Sequence, residues 1–246
     1  MKKRNAIMLV SILSFFTMIV TSCQKEVEQI EGALPGLFSV SDNKKVSFSK
    51  GNLQYQASTN TWRFAEQQYL YGDLFGWGTG NNPSLSSTND LDYATFTDWG
   101  NNPIVNGGNA PNMWRTLTQE EWVYLLKKRP GKCGMGIVGG RTGWIILPDN
   151  WLQPSECPDF VPGNVEYNKY SLSEWMVMEL AGAVFLPEAK YNAEPHTAMR
   201  GPYGEYWAST PDGEYKAYRL YLYGYNVPVT WASCVRHNKC SVRLVH

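Results

Sequence analysis

An α+β fold, with antiparallel strands, two helices and a long loop region, is what this sequence predicts. Three observations predict it. Short runs of alternating apolar and polar residues, separated by turn residues, occupy both ends of the chain. Two capping boxes, Thr118–Glu121 and Ser171–Glu174, each open a helical apolar pattern. Between them and the first strands, residues 72–112 are crowded with Gly, Asn, Asp, Ser and Pro and punctuated by Phe75, Trp77, Tyr93, Phe96 and Trp99. A structured loop region pinned by buried rings fits that stretch better than open coil.

The chain begins with an address. Lys2, Lys3 and Arg4 precede an apolar run from Ala6 to Val20, too short to span a bilayer as a helix but suited to the core of a signal peptide. Val20-Thr21-Ser22-Cys23 follows and resembles a bacterial lipobox. The resemblance implies cleavage before Cys23 and a diacylglycerol on its thiol, so residues 1–22 are a lipoprotein signal peptide. Two or more acyl chains on one residue give stable anchoring. Residues 23–36 read as an acidic tether closed by Pro35-Gly36, and Gln24 to Glu31 resembles the export signal of surface lipoproteins in Bacteroidetes. The expected location is the outer membrane, lipid-anchored and exposed at the cell surface, where disulfides are permitted.

Residues 37–246 read as one domain. Phe38–Val40, Val46–Phe48, Leu53–Tyr55 and Trp62–Phe64 alternate between turns and are expected as strands. After Thr118, the residues Trp122, Leu125 and Leu126 share a helix face, Lys127, Lys128 and Arg129 suit its C-terminal dipole, and Pro130-Gly131 stops it. Gly134, Gly136, Gly139 and Gly140 read as turn glycines. Gly143–Pro148 reads as a buried strand. The second helix opens at Ser171 with Trp175, Met178 and Glu179, and Ala183–Leu186 returns as a strand. Tyr206-Trp207, Tyr218–Tyr223 and Ser241–Val245 complete the strand-rich end.

Composition excludes several classes. Charged residues are 18% and aromatics 14%, the reverse of a disordered chain. Without the first 22 residues, 19 basic face 22 acidic residues, a net charge of −3, so no nucleic acid partner is expected. His196, His237 and His246 are not at metal-ligand spacing. Gly-x-Ser-x-Gly and a phosphate-binding Gly loop are absent. No catalytic residue, metal or cofactor is expected. Beyond Cys23, the four cysteines Cys133, Cys157, Cys234 and Cys240 allow three pairings, of which the local ones are favoured.

Four motifs in order carry a family resemblance. Trp114-Arg115 through Trp122 looks like the helix entry of the formylglycine-generating-enzyme type of C-type lectin fold. Gly182–Pro187, Gly204–Thr210 and Ser241–Val245 are similar to its later segments. The combined pattern, over about residues 37–246, resembles the Fibrobacter major paralogous domains abundant in Bacteroidetes lipoproteins. It implies a C-type lectin-like fold with chain ends close together and a loop region bearing a ligand surface. Two departures bear on activity. The calcium-dependent lectins' Glu-Pro-Asn and Trp-Asn-Asp are represented here only by Glu194-Pro195-His196. The enzyme's reactive cysteine pair has four residues between; Cys234 and Cys240 have five and lack its Gly-Gly-Ser flank.

The C-terminal segment suggests what the domain does. Tyr218, Leu220 and Leu222 share one strand parity, and Arg219, Tyr221, Tyr223 and Tyr225 the other. If the leucines face the core, the second row faces out, followed by Asn226, Thr230, Trp231, Arg236, His237 and Lys239. Tyr, Trp and Arg dominate recognition surfaces. The segment from Tyr206 to Val245 also resembles the variable region of proteins diversified by retroelements. The expected function is binding of a protein or glycan outside the cell through this face. The alternatives are an oxidoreductase resembling the formylglycine-generating enzyme and a structural, fimbria-associated subunit.

Overall fold

The computed structural model describes residues 30–163, 165–188, 203–223 and 229–246. The expected signal peptide, Cys23 and Glu194-Pro195-His196 lie outside the described residues. The architecture is α+β, mostly strands, as expected. Among the described residues no helix is long and apolar enough to cross a membrane.

Two hairpins open the chain. β1 (Phe38–Ser41) pairs with β2 (Lys44–Val46), and β3 (Leu53–Gln56) with β4 (Thr61–Phe64), all antiparallel. Alternation explains them: Phe38, Val40 and Val46 point into the core, while Lys44 and Lys45 stay in solvent. Ala33 and Leu34, assigned above to the tether, already belong to the domain. Ala33 bridges Ser49, and Leu34 is buried in the core.

The two helices form where the capping boxes place them. α1 (Gln119–Lys127) and α2 (Leu172–Leu180) each show both reciprocal bonds, Thr118 with Glu121 and Ser171 with Glu174. α1 buries Trp122, Leu125 and Leu126; α2 buries Trp175 and Met178. Gly182 ends the second helix at φ +99°, a conformation glycine adopts without strain.

A four-stranded sheet runs β8 (Lys169–Tyr170), β6 (Cys133–Val138), β7 (Arg141–Ile146), β9 (Val184–Pro187), with only the β8–β6 pair parallel. Gly139 and Gly140 make the β6–β7 turn at positive φ. Gly134 and Gly136 do not make turns: they stand inside β6. At Gly136 a Cβ would come within 2.4 Å of the Ile145 side chain, so this glycine serves close packing.

The C-terminal sheet has the order β10 (Tyr203–Asp212), β11 (Lys216–Tyr223), β12 (Val229–Val235), antiparallel throughout. The closing strand is shorter than expected. Only β13 (Leu244–Val245) pairs, with β5 (Arg115–Thr116), while Ser241 makes a single bridge to Tyr206.

Residues 72–112 form a structured loop with two 3-10 turns, Asp90–Tyr93 and Trp99–Asn101, capped by Asn89 and Asp98. Phe75, Trp77, Tyr93 and Trp99 are buried as expected, and Phe96 is partly buried. Phe75, Trp77 and Trp99 share one cluster with Trp62, Trp114, Trp207, Cys234 and Cys240, so this loop packs directly on the C-terminal sheet.

Candidate ligand face on the C-terminal sheet

Strand parity decides which side chains β11 presents. Leu220 and Leu222 are buried with Tyr206 and Ala208 in the cluster around Trp122, as their parity requires. The opposite face is only partly open. Ala217, Trp207 and Cys234 are buried against the loop cluster, so the far end of that face is covered. Beyond this cover come Arg219 and Tyr221, both of intermediate exposure. Arg219 is not a free cation. Its Nη1 donates to Glu205 Oε2, and its guanidinium lies 5.1 Å from the Tyr221 ring centroid. A bulge between Arg219 and Tyr221 breaks the register with β12 at this point.

Arg236 corrects the sequence reading, which counts it among outward residues. It is 5% exposed. Its Nε donates to Lys216 O at 3.1 Å, Nη1 to Ala94 O at 3.1 Å and Tyr93 O at 3.3 Å, and Nη2 to Gly213 O at 2.8 Å. The guanidinium also stacks over Trp77 at 4.4 Å. Five donors in a planar fork let one guanidinium serve several carbonyls at once. Burial pulls its pKa below the ordinary guanidinium value. The residue is a rivet between the 77–94 loop and the β10–β11 turn, not a ligand contact.

His237 and Lys239 are half-buried and also engaged with that loop. The His237 amide and Nδ1 both meet Asp90 Oδ1, at 3.0 and 2.9 Å. Lys239 Nζ donates to Leu85 O at 2.8 Å, and burial lowers its pKa. Of the remaining expected residues, Tyr223, Thr230 and Trp231 enter through their strand backbone alone. Tyr225 and Asn226 lie outside the described residues.

The loop clasped by Arg236, His237 and Lys239 holds a cavity of about 220 Å³. Its lining includes Thr79, Asn81, Asn82, Asp92 and Thr95, with Leu91 exposed at its edge. Those side chains offer hydrogen-bond donors and acceptors and one carboxylate. Sequence reasoning missed this cavity and the anchoring Asp90, because Asn and Asp in a Gly-rich stretch read as turn formers.

On this same face, under the loop cluster, lies a second group that sequence reading left open. All four described cysteines are unbridged. Cys133 Sγ donates to Leu126 O and Cys157 Sγ to Glu174 O, so the pairing of these two is not made. Cys240 Sγ donates to Glu205 Oε2 at 3.2 Å, and the Cys234 sulfur stands beside it. The ligand atoms of Glu205, Cys234 and Cys240 all lie within 4.8 Å of one another. Glu205 was missed as well; it stands one residue before the Tyr206-Trp207 pair with nothing local to distinguish it.

No family model matches the chain, and neither a curated protein nor a solved structure does.

Proposed function

We propose that this chain is a non-catalytic recognition module. It is held at the outer membrane by lipid on Cys23, displayed at the cell surface, and binds a protein or glycan outside the cell through its C-terminal β-loop face. The observation that carries this reading is the clasp. The segment 236–240 is fixed to the 75–94 loop through Arg236, through His237 with Asp90, and through paired backbone bonds between Phe75 and Cys240. A loop-borne polar surface that is already ordered loses little conformational entropy on binding. Supporting a C-type lectin-like arrangement, the segment just after β2 runs beside the C-terminal end, with Ser47 and His246 exchanging backbone hydrogen bonds and Phe48 bridging Val245.

The binding residues are Arg219, Tyr221, Tyr223, Tyr225, Asn226, Thr230, Trp231, His237 and Lys239, with Arg236 fixing the platform beneath. The test is to screen the labelled full chain against a glycan panel and against intact bacterial cells. The triple variant Tyr221→Ala, Tyr223→Ala, Trp231→Ala should lose binding by at least about tenfold, since such anchors dominate interfaces. Its thermal unfolding should change little. Capture by neither panel, or binding indifferent to the three substitutions, sinks the reading.

Contact between Cys234 and Cys240 favours a second reading, an oxidoreductase resembling the formylglycine-generating enzyme. Two thiols suit a thiophilic ion such as copper(I). Against it, Cys240 is fully buried, which leaves a peptide substrate no approach, and the pair's spacing and flank depart from that family. Oxidation of a peptide cysteine by the copper-treated chain would establish it over the first.

A further inference from the structure

We propose that Cys234 and Cys240 are a dithiol modification site, converted by a small external disulfide into an intramolecular bridge that locks the turn bearing Arg236, His237 and Lys239. The proposal stands independently of what the face binds.

The two cysteines stand side by side with their sulfurs unbridged. Cys234 is near the end of β12, fixed by its register opposite Ala217, and Cys240 is fixed by paired backbone bonds with Phe75. Their sulfur atoms lie within 4.8 Å of one another, so only a short approach separates them from a bond of about 2.05 Å. The other two described cysteines each donate to a backbone carbonyl instead.

Charge around the pair divides the roles. The Cys240 thiol beside it and the nearby Arg219 charge hold the Cys234 thiol below its ordinary value against the effect of burial. Complete burial, with Cys234 beside it, pushes the Cys240 thiol well up. Cys234 is therefore the attacking thiolate. It is also the one with surface exposed, at 8%, on the edge strand of its sheet. Arg219 donates to the same carboxylate oxygen of Glu205 that Cys240 does. A divalent cation among these three ligands would sit against a guanidinium, which disfavours a metal and leaves thiol exchange.

The exchange balances. Cys234 sulfur attacks one sulfur of the external disulfide, whose S–S bond breaks, and the first small thiolate leaves and takes the proton Cys234 released. Cys240 sulfur then attacks Cys234 sulfur in the mixed disulfide and displaces the second small thiol. The Cys240 proton, hydrogen-bonded to Glu205 Oε2, ends on that leaving group. Two protein thiols are oxidised, and one small disulfide is reduced to two thiols.

The test equilibrates the full chain with oxidised glutathione, alkylates under denaturing conditions and maps peptides without reduction. A linked Cys234–Cys240 peptide is expected, lighter by two hydrogens, with Cys133 and Cys157 alkylated. Amide exchange over residues 235–240 should slow by about tenfold or more in the oxidised form, and Tm should rise by about 5 °C. Arg219→Gln should slow bridge formation several-fold; where that variant fails to fold, the exchange-rate profile of the parent chain against pH replaces it, and it should titrate below an ordinary thiol. Alkylation of both Cys234 and Cys240, bridging of either to another cysteine, or unchanged amide exchange on oxidation would overturn the proposal.

Discussion

At the scale of single residues, Arg236 and Asp149 show charges used as fasteners. Arg236 spends four of its five guanidinium N–H donors on backbone carbonyls and lays the plane over a Trp face, so it serves the fold before any ligand. Arg236→Met would keep the stem but strand those carbonyls in a dry site, at a cost of about 2–4 kcal/mol. Urea denaturation measures that loss, and faster amide exchange around Tyr93 and Ala94 locates it. Asp149 joins β1, β2 and the segment after α1. Its carboxylate takes Ser39 Oγ at 2.7 Å, Lys45 Nζ at 3.1 Å and Arg129 Nε at 2.8 Å. Burial alone would raise its pKa, but the Ser39 and Lys45 bonds and the Arg129 charge outweigh that and hold it to about 2. A folded value below the unfolded one means stability that is present above about pH 4 and lost as pH falls towards 2. Asp149→Asn should therefore remove about 1 kcal/mol at neutral pH, after solvent screening, and flatten the acid limb of a stability–pH curve. An acid limb as steep in the variant as in the parent would count against this assignment.

Elements differ in how far the sequence announces them, and the difference follows the range of the interactions. Both helices were legible because a capping box is a contact over three residues: Thr118 and Glu121, or Ser171 and Glu174, satisfy each other before any tertiary packing. Thr118→Ala should cost about 1 kcal/mol in chemical denaturation. The effect should stay below that of Trp122→Ala, which removes a fully buried ring and costs about 3–5 kcal/mol. β6 was not legible, because Gly134 and Gly136 carry no apolar alternation and the strand is defined by β7 and β8 beside it. The candidate face was legible in part. Alternation along β11 gave the burial of Leu220 and Leu222 against the partial exposure of Arg219 and Tyr221. Past Val235 the strand ends, and parity no longer says where a side chain points. Arg236 is covered by a loop some 140 residues earlier in the chain, and nothing near it in sequence records that contact. Glu205 was hidden in a similar way at shorter range, since its partners Arg219 and Cys240 come from another strand and a turn.

At the scale of the whole molecule, the proposed binding role assigns unequal freedom to neighbouring positions. Glu205, Arg236 and Leu220 hold the C-terminal sheet to the loop and the core, so their replacement loosens the platform itself. Tyr221, by contrast, sits past the cover of the loop cluster, where a change alters the surface at little structural cost. If the segment is rewritten by a retroelement, as its resemblance implies, sibling isolates of one strain should differ at Tyr221, Tyr223, Tyr225, Asn226, Thr230 and Trp231. They should keep Glu205, Leu220, Leu222, Arg236 and the Ser241–Val245 end. Sequencing the locus in such isolates checks this, and each variant's Tm should stay within about 4 °C of the parent. Changes that fall equally on Arg236 and Leu220, or none anywhere in residues 215–240, would remove diversification while leaving a fixed recognition face standing. The two outcomes differ in kind: diversification requires a framework that tolerates substitution on one side only, and the clasp around Arg236 is what makes such a framework physically possible.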